Sequence, residues 1–101
     1  VRIKRLKRDG GHTTCYGRMD PDKPSYTVNT YFNRPNVGCN IHYEQERLIT
    51  LREAMRLQTF PDDYEFVSKS KQGKNLIVGN AVPPLLAYTL AKQLIPFVNN
   101  E

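Results

Sequence analysis

The stretch Arg47 to Tyr64, RLITLREAMRLQTFPDDY, decides how the rest of the chain is read. Thr50 and Glu53 stand in capping-box spacing, so the threonine hydroxyl is set to accept from the Glu53 amide while the Glu53 carboxylate reaches back. Leu51, Ala54 and Met55 recur at helical spacing and Leu57 widens the stripe. At about 100° per residue, Arg52, Glu53 and Arg56 share the opposite arc, while Gln58 falls in the middle of the apolar one. Pro61 forces Phe60 out of helical geometry and Asp62-Asp63 supply turn chemistry, so the helix is short. Two demands follow. A buried Gln58 amide needs partners, and Arg52 and Arg56, one turn apart, repel unless something acidic faces them.

Upstream, Ser25 to Phe32 is rich in β-branched and aromatic residues and reads as a strand, with Cys39 to Tyr43 returning as another. Val1 to Arg8 alternates as a charged edge strand or arm. Asp9-Gly10-Gly11 is a turn signal, and His12 to Tyr16 completes a hairpin. Gly17 to Pro24 and Asn33 to Gly38 read as loops. His12 and His42 lack metal-ligand spacing and read as surface histidines. Downstream, Glu65 to Val78 is ambiguous, with Ser68 or Ser70 available as a cap and Gly73 weakening a helix by about 1 kcal/mol. Leu86, Ala87, Leu90, Ala91, Leu94 and Ile95 form a helical stripe from near Pro83-Pro84 to a stop before Pro96. So apolar a stripe needs a partner surface. The expected fold is α+β: a small, mostly antiparallel sheet before residue 45, then two or three helices.

The 101 residues suffice for one small domain or part of a larger one. One quarter of them are charged, no secretory signal is visible, and no apolar run approaches the roughly 18 residues of a membrane span. The chain opens on Val1, which suits a fragment or a processed product. Net charge is +5, unevenly spread: residues 1–47 carry nine basic and five acidic side chains, residues 48–101 six and five. The basic half is therefore the better candidate for a phosphate-facing surface, and a solvated basic tail would look the same. Cys15 and Cys39 have neither metal spacing nor a secreted context and read as reduced thiols.

Asn80 stands ahead of the last helical stripe, where exposed backbone N–H groups favour an anion. Its amide donates and accepts, Gly79 permits a tight turn or close approach, and Val82 offers an apolar wall. Helix capping alone is a fully adequate explanation of the asparagine, and on the residues by themselves the favoured one.

R-L-x-T-x-R-E-A-x-R-L-Q-x-F-P-D-x-Y at 47–64 resembles the ninth motif of the cytosine-C5 DNA methyltransferases. G-N-A-V-P-P-L-L-A, Gly79 to Ala87, resembles the tenth, in the right order and at the right distance. Arg18 to Thr27, R-x-D-x-x-K-P-S-x-T, is also similar to that family, with Thr27-Val28 matching the Thr-hydrophobe pair beside the extruded base. The resemblance covers about Arg18 to Leu94 and only the family's C-terminal end. It implies the C-terminal part of a larger two-domain methyltransferase, 1–46 belonging to the target-recognition region and 47–101 to a helical ninth- and tenth-motif segment, together one structural unit. It implies S-adenosylmethionine as cofactor, held by Asn80 and Val82 with Gly79, and double-stranded DNA as partner, touched by Thr27 and Val28. Charge alone adds Arg18, Lys23 and Arg34 as phosphate contacts. It also implies a cytoplasmic, DNA-associated bacterial or phage protein, without membrane or metal.

The family's nucleophile lies in a Pro-Cys pair, yet Thr14 precedes Cys15 and Gly38 precedes Cys39. The Gly-rich cofactor loop, the Glu-Asn-Val segment and the Gln-x-Arg-x-Arg segment are also missing from these residues. No catalytic residue is therefore assigned here, and the chain alone is expected to be inactive. It is expected to be a fragment of a full-length enzyme or the small subunit of a split one, its partner the lobe or large subunit bearing those motifs. A non-catalytic DNA-binding or regulatory module is the alternative reading.

Overall fold

The computed structural model describes residues 16–98. Its elements are α1, Leu51–Leu57, α2, Lys71–Asn80, and α3, Pro84–Val98. The expected arm at Val1 to Arg8 and nearly all of the hairpin that follows lie outside the described residues.

The opening of α1 is as its sequence demands. The Glu53 amide donates to the Thr50 hydroxyl at 3.2 Å, and the Thr50 amide donates to Glu53 Oε2 at 2.7 Å. The pair satisfies two N–H groups that the helix cannot, a contribution of about 1 kcal/mol. Ala54 and Met55 are buried. They join Val28, Phe32, Ile49 and Val78 in one core, with Met19, Leu51, Phe60 and Phe66 packed around it. The second helix starts at Ser70, whose hydroxyl accepts from the Gly73 amide at 3.0 Å, which resolves the ambiguous stretch in favour of Ser70.

The α+β expectation fails. Among the described residues there is no strand, only single-residue bridges, Arg18 with Ile41 in parallel and Ile41 with Leu48 antiparallel. Strand propensity measures the fit of a side chain to a paired, pleated surface, and here the pairing is absent. The Asn29 side chain accepts from the Tyr31 amide at 2.9 Å and turns the chain inside the expected strand. The Arg34 amide then donates to the Tyr31 carbonyl, also at 2.9 Å. Asn29 and Asn40 amides both donate to the Val37 carbonyl, and Asn40 also to that of Arg34, so side chains rather than a ladder staple this loop. Gly38, at φ 88°, takes the backbone through a region closed to most side chains.

The last helix begins with Pro84 in its first turn, where no N–H is needed. It does not stop before Pro96 but runs through it to Val98. The proline sits in the last turn, where the helix has little left to lose. None of its residues is buried. Residues 71–98 taken together are long and apolar enough to cross a membrane by length and composition, against the sequence expectation. The backbone nevertheless breaks after Asn80, with Ala81 extended at ψ 144°. The 15 residues of α3 rise about 22 Å, short of a hydrocarbon core of about 30 Å. The apolar stripe of α3 stays exposed from Leu86 to Ile95.

Candidate cofactor and nucleic-acid site

The break between α2 and α3 carries the residues expected to meet a cofactor. Asn80 is exposed and is the last residue of α2, so it cannot be the N-cap of the final helix. That end is served instead by Thr59, whose hydroxyl accepts from the Leu85 amide at 3.1 Å. Asn80 still stands ahead of that helix, across the three-residue gap 81–83. Val82, at 65% exposure, projects beside it. A polar amide and an apolar wall thus stand together on the surface, a donor set suited to a ligand with both characters. Gly79 faces inward: a Cβ there would come within 2.5 Å of Thr30 Cα and 2.6 Å of the Asn29 carbonyl. Its close approach is to this chain's own backbone.

Gln58 meets the demand made by its position. Buried, it donates from Nε2 to the Val78 carbonyl at 3.0 Å and to that of Ala81 at 3.5 Å. Arg56 and Arg52 are also answered. Arg56 pairs with Asp62 through two hydrogen bonds, 2.9 and 3.1 Å, and Arg52 donates to the Asp62 carbonyl. The Arg56 pairing holds the Asp62 carboxyl below its ordinary range.

The candidate DNA contacts divide into two kinds. Thr27 is exposed, as are Lys23 and Arg34. Lys23 stands 3.8 Å from Asp20, and the Arg34 guanidinium lies 4.7 Å from the centre of the Tyr31 ring. Val28 is in the core. Arg18 has a side chain only 9% exposed and is engaged by its own chain. It donates to the carbonyls of His42 at 2.6 Å and Gln45 at 2.9 Å, and to Glu46 at 3.1 Å.

Arg18 therefore fastens the 42–47 loop, and there the sequence reading missed a cluster. His42 is buried rather than superficial. Its Nδ1 accepts from the Glu44 and Gln45 amides at 3.1 and 3.0 Å. That places the imidazole proton on Nε2, 3.6 Å from Glu53 Oε1. Glu53 in turn accepts from Nη1 and Nη2 of Arg47, each at 2.8 Å. The Arg47 guanidinium, then the Thr50 amide and hydroxyl, pull the Glu53 carboxyl down to about 2. A cleft of about 320 Å³ opens beside this cluster, lined by Met19, Lys23, Ser25, His42, Tyr43 and Leu57 among others. Only the Thr50-x-x-Glu53 spacing signalled any of this in advance. Among the described residues no group of three or more metal-ligating side chains gathers.

The profile of the C-5 cytosine-specific DNA methylases matches residues 3–96. A type II methyltransferase, M1.HphI, of Haemophilus parahaemolyticus is 41% identical over 95% of this chain and 24% of its own length. The type II methyltransferase M.BbvI of Brevibacillus brevis is 49% identical over 68% of this chain and 18% of its own. The DNA (cytosine-5-)-methyltransferase M.ApeKI of Aeropyrum pernix is 44% identical over 93% of this chain and 20% of its own. The chain thus spans a quarter or less of these relatives, and no solved structure matches it. Over nearly its whole length, then, this chain belongs to the C-5 cytosine-specific DNA methylase family, an enzymatic family of DNA methylation.

Proposed function

We propose that the chain is the C-terminal, DNA-recognising and cofactor-closing part of a DNA (cytosine-5-)-methyltransferase. Its partner is the lobe or large subunit that carries the nucleophile. The observation that carries this reading is α3. Leu86, Leu90, Leu94 and Ile95 are 52 to 60% exposed on a helix with no buried residue, and a face so apolar gains stability only when covered. Residues 1–46 and 47–101 act as one unit in this reading, since Val28 and Phe32 share a core with α1 and α2.

The cofactor is S-adenosylmethionine, which supplies the methyl group. Asn80 and Val82 would hold it, the first by its amide and the second by apolar contact. Gly79 serves the same pocket indirectly, because the close approach of α2 to residues 29–30 fixes where Asn80 stands. Duplex DNA would lie against Thr27, Lys23 and Arg34, the last with Tyr31 beneath it. Val28 and Arg18 support that surface from below, one anchoring Thr27 to the core and the other fixing the loop. The base is extruded and attacked at C6 by a thiolate of the other lobe. Such a protein works where the DNA is, which for a bacterial or phage protein is the cytoplasm.

Two measurements test the reading. Alone, the chain transfers no label from S-adenosylmethionine to cytosine-containing duplex; with a polypeptide bearing the family's Pro-Cys and Glu-Asn-Val segments, it does. Transfer by the chain alone that disappears with Cys15→Ser or Cys39→Ser would falsify it. In the paired enzyme, Asn80→Ala leaves the melting temperature unchanged or slightly raised, because alanine is the better helix former and the site is exposed. S-adenosylmethionine binding weakens by about 1.4 kcal/mol or more, roughly tenfold. Calorimetric titration with unchanged affinity removes Asn80 from the pocket.

A further inference from the structure

We infer that Gln58 and Thr59 are positioning residues for the cofactor-closing segment, a role that rests on the reading proposed above. The two residues follow α1 directly and grip both lips of the break at 81–83. On the α2 side, Gln58 donates to the Val78 and Ala81 carbonyls. On the α3 side, the Thr59 hydroxyl accepts from the Leu85 amide. Asn80 and Val82 lie between these attachments, so the rigid end of α1 sets how far the two helices open around them.

Thr59 carries the argument furthest. It sits at φ 66°, a left-handed conformation that a β-branched residue adopts at a cost and that glycine or asparagine would take without one. What threonine adds there is its hydroxyl, and the hydroxyl is spent on Leu85. Strain retained in this way marks a position chosen for something other than stability. Its partner lies across the break, in a helix that buries no residue in this chain, so the bond fixes where that helix begins.

The test uses Thr59→Gly and Thr59→Ser, in this chain for melting and amide exchange, and with the catalytic lobe for cofactor titration. Thr59→Gly is expected to melt at or above the wild-type temperature, because it relieves the left-handed strain. Its Leu85 amide exchanges about fivefold faster or more, and S-adenosylmethionine binds about fivefold more weakly or worse. Thr59→Ser restores both. Wild-type binding of the cofactor with the glycine variant unaffected overturns this inference alone. Loss of affinity together with a fall in melting temperature also overturns it, by reducing Thr59 to a structural cap. Wild type that binds no cofactor in the presence of the lobe sinks the proposed function as well.

Discussion

Gly79→Ala is expected to lower the melting temperature by about 8 to 16 °C, the equivalent of about 2 kcal/mol in a domain of this size. Two effects oppose each other at this position. Alanine in a helix is favoured over glycine by about 1 kcal/mol. Against that, the new methyl would stand 2.5 to 2.6 Å from backbone atoms of Asn29 and Thr30. Backbone cannot rotate away as a side chain does, so the cost belongs at the upper end of overpacking, about 3 kcal/mol. The strain wins. Gly73 supplies the control, because its nearest neighbour, at 2.3 Å, is the Ser68 hydroxyl, the end of a side chain able to move. Gly73→Ala is therefore expected to cost far less, and equal losses in thermal melts of the two variants would refute the account of Gly79 as the contact between α2 and residues 29–30.

Glu53→Gln is expected to destabilise the chain by about 1 to 2 kcal/mol near neutral pH. The carboxylate accepts from Nη1 and Nη2 of Arg47 and from the Thr50 amide. Its shift to about 2 from an ordinary 4.5 would correspond to roughly 3 kcal/mol if fully realised. Arg47 is 36% and Glu53 30% exposed, so solvent screening reduces that figure. A depressed carboxyl stabilises the fold at every pH above its unfolded value. The contribution then drains away as pH falls from about 4.5 towards 2. The gap between wild type and variant in urea melts should close across that window. Asp62, also depressed, is present in both proteins and tilts their acid limbs alike. A gap that stays constant down to the lowest pH would mean that the Arg47–Glu53 pair adds nothing to stability.

What the sequence made legible was local. The capping box at Thr50 and Glu53, the buried polar position at Gln58 and the need for acid near Arg52 and Arg56 all follow from spacing within one helix, and each has its partner in the structure. The strands were misread because β-branched and aromatic residues at 25–32 state a preference that only a neighbouring strand can fulfil, and Asn29 turns the chain instead. His42 looked superficial because its partners are distant in sequence: Arg18, 24 residues earlier, binds its carbonyl, and Glu53, 11 later, faces its Nε2. Capping, the other account of Asn80, fails for a related reason: the capping oxygen of α3 comes from Thr59, in another element. Contacts made across the chain leave no periodic trace.

The uncovered helix bears on how long such a chain survives. With extents of 62 × 34 × 19 Å and a radius of gyration of 16.6 Å, the molecule is stretched well beyond the roughly 13 Å of a compact chain this long. An apolar arm held out in this way is the kind of surface that chaperones retain and proteases reach first. Where the other lobe is a separate polypeptide, copies left without it would be cleared, while copies that dock would be spared. In that arrangement the helix would match the amount of the chain to the supply of its partner, with no regulator beyond cellular quality control.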